Sequence, residues 1–197
     1  VLTPSKDRVE PKCPVARQCG GCQIQEMRYE AQLAFKQKMV QNNLERIGGL
    51  SDFEMYPVIG METPFNYRNK AQFPVGLDKQ GNVVSGFYAG RTHHIVEQTD
   101  CCIGAPENGE VLRKVKAYMQ KNQIRPYNEE HHSGIVRHIL IRTGYHTKEI
   151  MVCLIINGTS IPNAEALCRQ LAKISGMTSI TLNVNKKQTN VILGDEI

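Results

Sequence analysis

Three closely spaced cysteines are the residues of this sequence whose type and spacing best suit chemistry. Cys13, Cys19 and Cys22 form a C-x5-C-x2-C pattern, and Gly20 and Gly21 occupy the short spacer. Thiolates so close in sequence can converge on one small object, and the glycines let the backbone bend tightly around it. The pattern predicts a site for a metal ion or an iron–sulfur cluster, and spacing alone does not separate zinc from iron–sulfur.

A site with four thiolates needs one more ligand, and the adjacent Cys101 and Cys102 are the candidates. They stand at the junction between a predicted strand and a predicted helix, and because neighbouring side chains diverge, only one of the two is expected to reach the centre. Cys153 and Cys168 lie in an apolar strand and in a predicted helix, where we expect small buried hydrophobic residues. The competing interpretation of the first three cysteines, as unrelated buried thiols, is disfavoured by their spacing.

The composition is that of an ordinary globular protein. The 197 residues are 41% hydrophobic, and the net charge of +5 favours polyanions only mildly. No apolar run could span a bilayer and no secretory signal opens the chain, which predicts a cytoplasmic protein with no membrane partner. Seven cysteines in such a protein indicate metal binding rather than disulfides. Because the chain starts with Val and stops within an apparent strand at 195–197, we expect an excised fragment.

Apolar periodicity and turn residues divide the chain into short elements. A loop rich in Pro, Gly and Cys covers residues 1–26, and helical spacing then runs from Met27 to Ile47, where two glycines end it. A second helix begins near Pro106 and ends near Asn122. The other predicted elements are the strands 68–75, 83–88 and 93–96, a linker over 128–133, the strands 135–142 and 149–156, a helix over 163–174, and the strands 179–184 and 190–193.

These elements predict an α+β fold with a cluster-binding loop, a long helix, an antiparallel β meander and a ββαββ unit, with the helices packed on one side. We divide the chain into residues 1–26, the cysteine-rich loop, residues 27–127, the helix, meander and second helix, and residues 128–197, the ββαββ unit.

A longer motif around the cysteines resembles a known family. It is similar to the entry segment of bacterial uracil-C5 RNA methyltransferases of the 23S rRNA type, and it reads Pro4-Ser5-x2-Arg8-Val9-Glu10-Pro11-x-Cys13-Pro14-x4-Cys19-Gly20-Gly21-Cys22-x2-Gln25. The resemblance continues over nearly the whole chain, in Tyr67-Arg68-Asn69-Lys70, Asp100-Cys101-Cys102-Ile103, Val136-Arg137-His138, Asn183-Val184-Asn185 and Thr189-Asn190-x3-Gly194.

The resemblance implies a 4Fe–4S cluster held by Cys13, Cys19, Cys22 and Cys101, because the family's fourth cysteine stands two residues before an isoleucine. Cys102 is the reserve ligand. It further implies that residues 1–26 include the end of a TRAM-like RNA-binding region, that 128–197 belong to the central domain, and that the partner is RNA, with 23S rRNA preferred. The cluster would be structural or involved in RNA binding, since methyl transfer needs no redox step.

Four basic residues are candidates for contact with RNA. Arg68 and Lys70 lie two apart on a predicted strand and share one face with Gln72, where they could follow a phosphate backbone. A solvated strand face is the alternative. The resemblance adds Arg137 and His138 as residues that contact RNA or a neighbouring domain.

The equipment for methyl transfer is not identifiable in this sequence. Enzymes of the resembled family use a cysteine thiolate to attack C6 of a flipped-out uracil and S-adenosylmethionine to methylate C5. No glycine-rich loop follows a strand here, and no cysteine lies in a Pro-rich loop. We therefore expect the parent protein to be an S-adenosylmethionine-dependent RNA uracil-C5 methyltransferase, with this fragment inactive without the catalytic domain of the same chain. A zinc-dependent nucleic-acid-binding module and a ferredoxin-like electron carrier are the alternatives.

Overall fold

The computed structural model describes residues 3–196; the terminal residues of the predicted divisions 1–26 and 128–197 lie outside the described residues. The helices are α1 (Tyr29–Asn42), continued by a π-helical turn (Asn43–Ile47), α2 (Asn108–Lys121) and α3 (Ala164–Leu171). The strands are β1 (Lys70–Leu77), β2 (Val83–Tyr88), β3 (Ile95–Glu97), β4 (Val136–Thr143), β5 (Ile150–Ile156) and β6 (Met177–Val184).

The strands form one six-stranded sheet in the order β3-β2-β1-β4-β5-β6. All neighbours are antiparallel except β5 and β6, which are parallel and joined by the crossover helix α3. The predicted α+β class, the antiparallel meander and the helix-connected strand pair are therefore confirmed. Pairing of β1 with β4, from Lys70 opposite Arg142 to Pro74 opposite His138, makes the sheet continuous across residue 128.

The main core lies between one face of the sheet and the helices α2 and α3. Alternate residues of β1 point into it, as expected for a strand with one face against helices. On β1 these are Ala71, Phe73 and Val75, and α2 contributes a stripe that includes the fully buried Leu112 and Met119. The predicted second helix thus packs as its periodicity indicates.

The opposite face of the sheet carries a smaller apolar group, and the C-terminal segment packs against it. Leu140, Cys153 and Ile155 are buried there, with Ile192 packed on them. The predicted strand 190–193 is wrong, because this segment is irregular. The Val191 and Ile192 carbonyls accept hydrogen bonds from the Asn185 side chain, and the Gly194 and Glu196 carbonyls beyond them accept from the Asn183 side chain.

Helix α1 stands apart from the core. It begins at Tyr29 rather than Met27, and none of its residues is buried. Phe35 is 49% exposed, and Met39 and Val40 are each 47% exposed. The predicted amphipathic helix therefore exists, but within residues 3–196 its apolar residues are at most half-buried. No helix in this range is both long and apolar enough to cross a membrane.

The two isolated cysteines differ in burial. Cys153 is buried in β5 as predicted, whereas Cys168 is exposed, which corrects the expectation of a buried residue. Because Leu167 and Leu171 form the buried side of α3, the residue between them at position 168 points toward solvent.

Candidate functional site

The cysteines predicted to bind a metal converge although they come from two distant parts of the chain. The amide nitrogen of Gln25 lies 3.6 Å from the Cys22 sulfur and 3.6 Å from the Cys102 sulfur. Besides burial, the nearby Cys101 thiol raises the pKa of both Cys19 and Cys22. We use the term cysteine site for Cys13, Cys19, Cys22, Cys101 and Cys102, all of which are free thiols.

Ion pairs and a backbone bridge close the base of the loop that carries the first three cysteines. Arg8 pairs with Met27 in an antiparallel bridge. The Glu26 carboxylate accepts from the guanidinium groups of Arg8 and Arg17 at 2.5 and 2.6 Å. Because solvent screens ion pairs this exposed and makes each of them weak, the backbone bridge and the ion pairs hold the base of the loop together rather than any one of them alone.

The tip of this loop is fixed to the sheet at a glycine. The Gly20 N–H donates to the Tyr88 carbonyl at 2.9 Å, and Cys19 forms a bridge with Ala89. A Cβ at position 20 would lie 2.9 Å from the Tyr88 oxygen and 3.2 Å from the Gly90 Cα. Because real side chains do not approach backbone this closely, position 20 requires glycine. The end of β2 thereby positions Cys19.

A turn brings both Cys101 and Cys102 to the cysteine site. The Gly104 N–H donates to the Cys101 carbonyl at 3.0 Å, which puts Cys102 and Ile103 at the centre of the turn. The sequence predicts that only one of these neighbouring thiols reaches the site, whereas the turn brings both near the other cysteines. Arg68 fixes the turn in place, since its N–H donates to the Ile103 carbonyl at 2.8 Å.

Two glutamine side chains contact the cysteine site from different directions. The Gln25 side-chain oxygen accepts from the Cys13 N–H at 2.9 Å, while its nitrogen points to Cys22 and Cys102. The Gln98 nitrogen, just beyond β3, lies 3.3 Å from the Cys13 sulfur. In the sequence, Gln25 belongs to the motif around the cysteines without an assigned role, and Gln98 is not predicted to be part of the site. Nothing in the sequence signals Gln98, because its contact depends on the meander folding onto the loop.

Burial raises the pKa of the Cys19, Cys22 and Cys102 thiols, and the neighbouring thiols act in the same direction. The positive charge of Arg68 lowers the pKa of Cys19 and Cys22, opposing burial. Arg68, predicted to face RNA, therefore lies close enough to the thiols to favour their anionic form.

The cysteine site does not have the compact geometry of a site for a single ion. Within residues 3–196, no three His, Cys, Asp or Glu side chains are close enough together to hold one metal ion. The five thiols are soft donors of the kind that zinc and iron–sulfur clusters use.

The basic residues that share one face of the sheet differ from those predicted. Lys70 is directly opposite Arg142 in the β1–β4 register, and both are exposed. Paired residues of antiparallel strands share a face, and Gln72 continues that face along β1. Arg68 precedes β1 and contacts the turn of the cysteine site instead. Arg142 could have been found from the sequence, given the pairing of the two strands.

Arg137 lies in the interior rather than on the surface, and His138 beside it is half-buried. Arg137 is buried, and its guanidinium donates to the carbonyls of Asn185, Lys187 and Thr189 at 2.9, 2.7 and 3.0 Å. It also lies 4.2 Å from the centre of the Tyr127 ring. This geometry gives Arg137 a role in holding the 185–189 segment.

His138 is half-buried, and its buried Nδ1 has no hydrogen-bond partner within the described part of the chain. Burial lowers its pKa to about 4, and the charge of Arg137 acts in the same direction. The imidazole is therefore neutral near pH 7.

Comparisons with known proteins connect this architecture to an enzyme group. No protein-family model matches the sequence. The chain is 48% identical over 197 residues to an uncharacterized RNA methyltransferase of Halalkalibacterium halodurans, covering all of this chain and 43% of that protein. It is 45% identical over 195 residues to an uncharacterized RNA methyltransferase of Bacillus cereus, covering 98% of this chain and 42% of the relative.

The chain is similar to RNA methyltransferases. A solved structure agrees, namely the Pyrococcus abyssi tRNA (uracil-54, C5)-methyltransferase in complex with S-adenosyl-L-homocysteine, with a TM-score of 0.72 and 25% sequence identity. That match covers 98% of this chain and 41% of the solved chain. The chain thus spans less than half the length of the RNA methyltransferases that it matches.

Proposed function

We propose that this chain is the iron–sulfur-containing, RNA-docking region of an S-adenosylmethionine-dependent RNA uracil-C5 methyltransferase. The observation that carries the proposal is the convergence of five thiols from segments about eighty residues apart in sequence. Similarity to proteins named RNA methyltransferases supports the enzyme class, and the uracil-C5 enzyme among solved structures supports the base and the position.

The proposed cofactor of the cysteine site is a 4Fe–4S cluster held by Cys13, Cys19, Cys22 and Cys101, with Cys102 in reserve. In such a cluster each thiolate binds a different iron, so the sulfurs need not surround one point. The bound cluster would supply a cross-link between the leading loop and the body of the fold.

The proposed RNA-docking surface is the Lys70–Arg142 pair with Gln72, on the sheet face opposite α2 and α3. Two adjacent exposed cations can contact successive phosphates and position the RNA without reading its sequence. Arg68 stays in the proposal as a residue at the boundary between this surface and the cysteine site. Arg137 and His138 would act on RNA only through the 185–189 segment that Arg137 holds.

The methyl transfer itself belongs to the rest of the parent protein in this proposal. The chain covers 43% of its Halalkalibacterium halodurans relative and 41% of the solved enzyme that contains S-adenosyl-L-homocysteine. We propose that the S-adenosylmethionine site and the attacking cysteine lie in the remainder and that this chain alone is inactive. The seven free thiols favour a cytoplasmic location, because reducing compartments preserve them.

The proposed substrate is 23S rRNA, on the basis of the motif around the first three cysteines. Transfer RNA is the second candidate, since the solved enzyme that the chain resembles is named for uracil 54 of tRNA. Both share unpaired loops, in which splayed bases are accessible to a protein.

Visible absorbance and metal analysis of the anaerobically purified chain test the proposed cofactor. A 4Fe–4S cluster gives a brown protein with broad absorption, whereas zinc gives a colourless one. A colourless chain containing stoichiometric zinc would support the zinc-module alternative. Reversible reduction without any affinity for RNA would support the electron carrier.

RNA binding is tested with Lys70→Ala and Arg142→Ala. Each change should weaken binding to a 23S rRNA hairpin and reduce the log–log salt slope by about 1, because each removes one phosphate contact. Lys173→Ala is the matched control, as this exposed lysine follows α3 on the other side of the sheet. Equal binding by all three variants would exclude this face. Tighter binding of tRNA than of the hairpin would favour the second candidate.

A further inference from the structure

Gln25 connects three of the five residues in the cysteine site. Its side-chain oxygen accepts from the Cys13 backbone N–H at 2.9 Å. Its nitrogen lies 3.6 Å from both the Cys22 and the Cys102 sulfur. One carboxamide therefore links the two arms of the site, which lie 77 residues apart in sequence at Gln25 and Cys102.

The hydrogen bond to Cys13 fixes the direction of the Gln25 amide. A backbone N–H can only donate, so the oxygen of the carboxamide must face Cys13. The two remaining N–H groups of the side chain then point to Cys22 and Cys102 by necessity. Swapping the oxygen and nitrogen would oppose two donors at Cys13 and leave the sulfurs facing an acceptor.

Gln98 acts on the same site from the sheet. Its backbone N–H donates to the Ser85 carbonyl at 3.1 Å, which attaches it to β2. Its side-chain nitrogen lies 3.3 Å from the Cys13 sulfur. Cys13 is buried, at 8% exposure, so no water competes easily for this sulfur, and a hydrogen bond there gains strength from the low local dielectric.

We infer that Gln25 and Gln98 are positioning residues that stabilise the thiolates of Cys13 and Cys22 and thereby set the reduction potential and the lifetime of the bound iron–sulfur cluster. The inference rests on the proposed function, since it needs the cluster to be present. Hydrogen bonds to the sulfurs are one of the factors that set the potential of such clusters. Outer residues of this kind typically change metal affinity by about 10–100-fold when they are replaced.

The test is electrochemical and spectroscopic, and it uses the reconstituted chain under anaerobic conditions. Gln25→Leu and Gln98→Leu should each move the reduction potential to a more negative value, because fewer donors stabilise the reduced, more anionic cluster. Each variant should also lose visible absorbance in air about 10-fold faster than the unchanged chain. A purely structural role for either glutamine could shorten the lifetime but would leave the potential where it was.

Two further variants complete the experiment. Gln23→Leu is the matched control, since Gln23 lies beside Cys22, is exposed, and makes no side-chain hydrogen bond among the residues described. This variant should have the same reduction potential as the unchanged chain and lose visible absorbance in air at the same rate. Gln25→Glu keeps the acceptor for the Cys13 N–H and removes the donors, so it should resemble Gln25→Leu rather than the unchanged chain.

The outcomes separate the inference from the proposed function. An iron-loaded chain whose potential is the same in Gln25→Leu, Gln98→Leu and Gln23→Leu would overturn the inference and leave the proposed cofactor standing. A chain that takes up no iron in any form would overturn the proposed cofactor itself. If Gln25→Leu fails to fold, Gln98→Leu decides the matter, because Gln98 keeps its backbone hydrogen bond to Ser85 whatever its side chain.

Discussion

Arg137 illustrates how a single residue can organise a segment that has no regular structure. It occupies an irregularity in β4, where the register skips from Val136 to His138. Bulges of this kind redirect a side chain out of the alternation of the strand. The guanidinium reaches three carbonyls between residues 185 and 189, so one planar cation replaces the backbone pairing that the segment lacks.

Replacing Arg137 should destabilise the chain strongly. We expect Arg137→Ala to lower the free energy of unfolding by about 2–4 kcal/mol, since it leaves one buried and two partly buried carbonyls without donors. Arg137→Lys should recover little, because one ammonium cannot match the planar fork of the guanidinium. Urea unfolding measures the effect, with the exposed Arg169→Ala as control. A loss no larger than that of the control would refute this role.

His138 should make stability depend on pH. Its pKa is about 4 in the folded chain and 6.5 when unperturbed. The unfolded chain therefore takes up a proton as the pH falls below 6.5, while the folded chain does not until about pH 4. The free energy of unfolding is therefore highest above pH 6.5. It falls by about 3 kcal/mol as the pH drops from 6.5 to about 4.

His138→Gln should flatten this pH dependence. We expect the difference in unfolding free energy between pH 7 and pH 4.5 to shrink in the variant, as measured by urea titration at both values. His146→Gln is the control, because His146 is exposed. If both variants lose as much unfolding free energy between pH 7 and pH 4.5 as the unchanged chain, the neutral His138 imidazole is not the cause of the pH dependence.

Residue types and spacing were enough to find the thiols but not what surrounds them. The C-x5-C-x2-C pattern marks Cys13, Cys19 and Cys22 because ligands close in sequence must be close in space. The Gln98 contact and the partner of Lys70 are set by the pairing of distant strands. A pattern in one segment carries no information about that pairing.

Elements with a core face were the easiest to predict. The strands of the meander, α2 and the α3 crossover were expected within a few residues of their observed bounds, because burial on one face imposes a period. The segment 190–193 alternates in the same way, yet asparagine side chains satisfy its backbone. Short polar side chains can thus replace the hydrogen bonds of a neighbouring strand, and the apolar pattern of the sequence does not reveal it.

Helix α1 should contribute little to the stability of this chain. We expect Phe35→Ala to change the free energy of unfolding by no more than about 0.5 kcal/mol, since Phe35 is 49% exposed. Phe73→Ala in β1 should cost about 3–5 kcal/mol, since that ring is fully buried. Thermal unfolding measures both losses. Equal losses of unfolding free energy in Phe35→Ala and Phe73→Ala would mean that α1 packs on the sheet.

At the scale of the whole molecule, the cysteine site joins parts of the chain that the sheet does not. The sheet unites β1 to β6, but the loop of the first three cysteines touches it mainly through the Gly20 and Cys19 contacts at the end of β2. A cluster would add a covalent attachment, through the turn at Cys101 and Cys102, to the hydrogen bonds of Gln25 and Gln98. The leading loop and the body of the fold would then move as one unit.

The most direct measurement is anaerobic iron and sulfide quantitation on the purified chain and on Cys13→Ala, Cys101→Ala and Cys102→Ala. We predict about four iron and four sulfide per unchanged chain, loss of both in the Cys13 and Cys101 variants, and retention in the Cys102 variant. Loss in the Cys102 variant with retention in the Cys101 variant would reassign the fourth ligand. An unchanged chain without iron, or full iron in the Cys13 variant, would contradict the account.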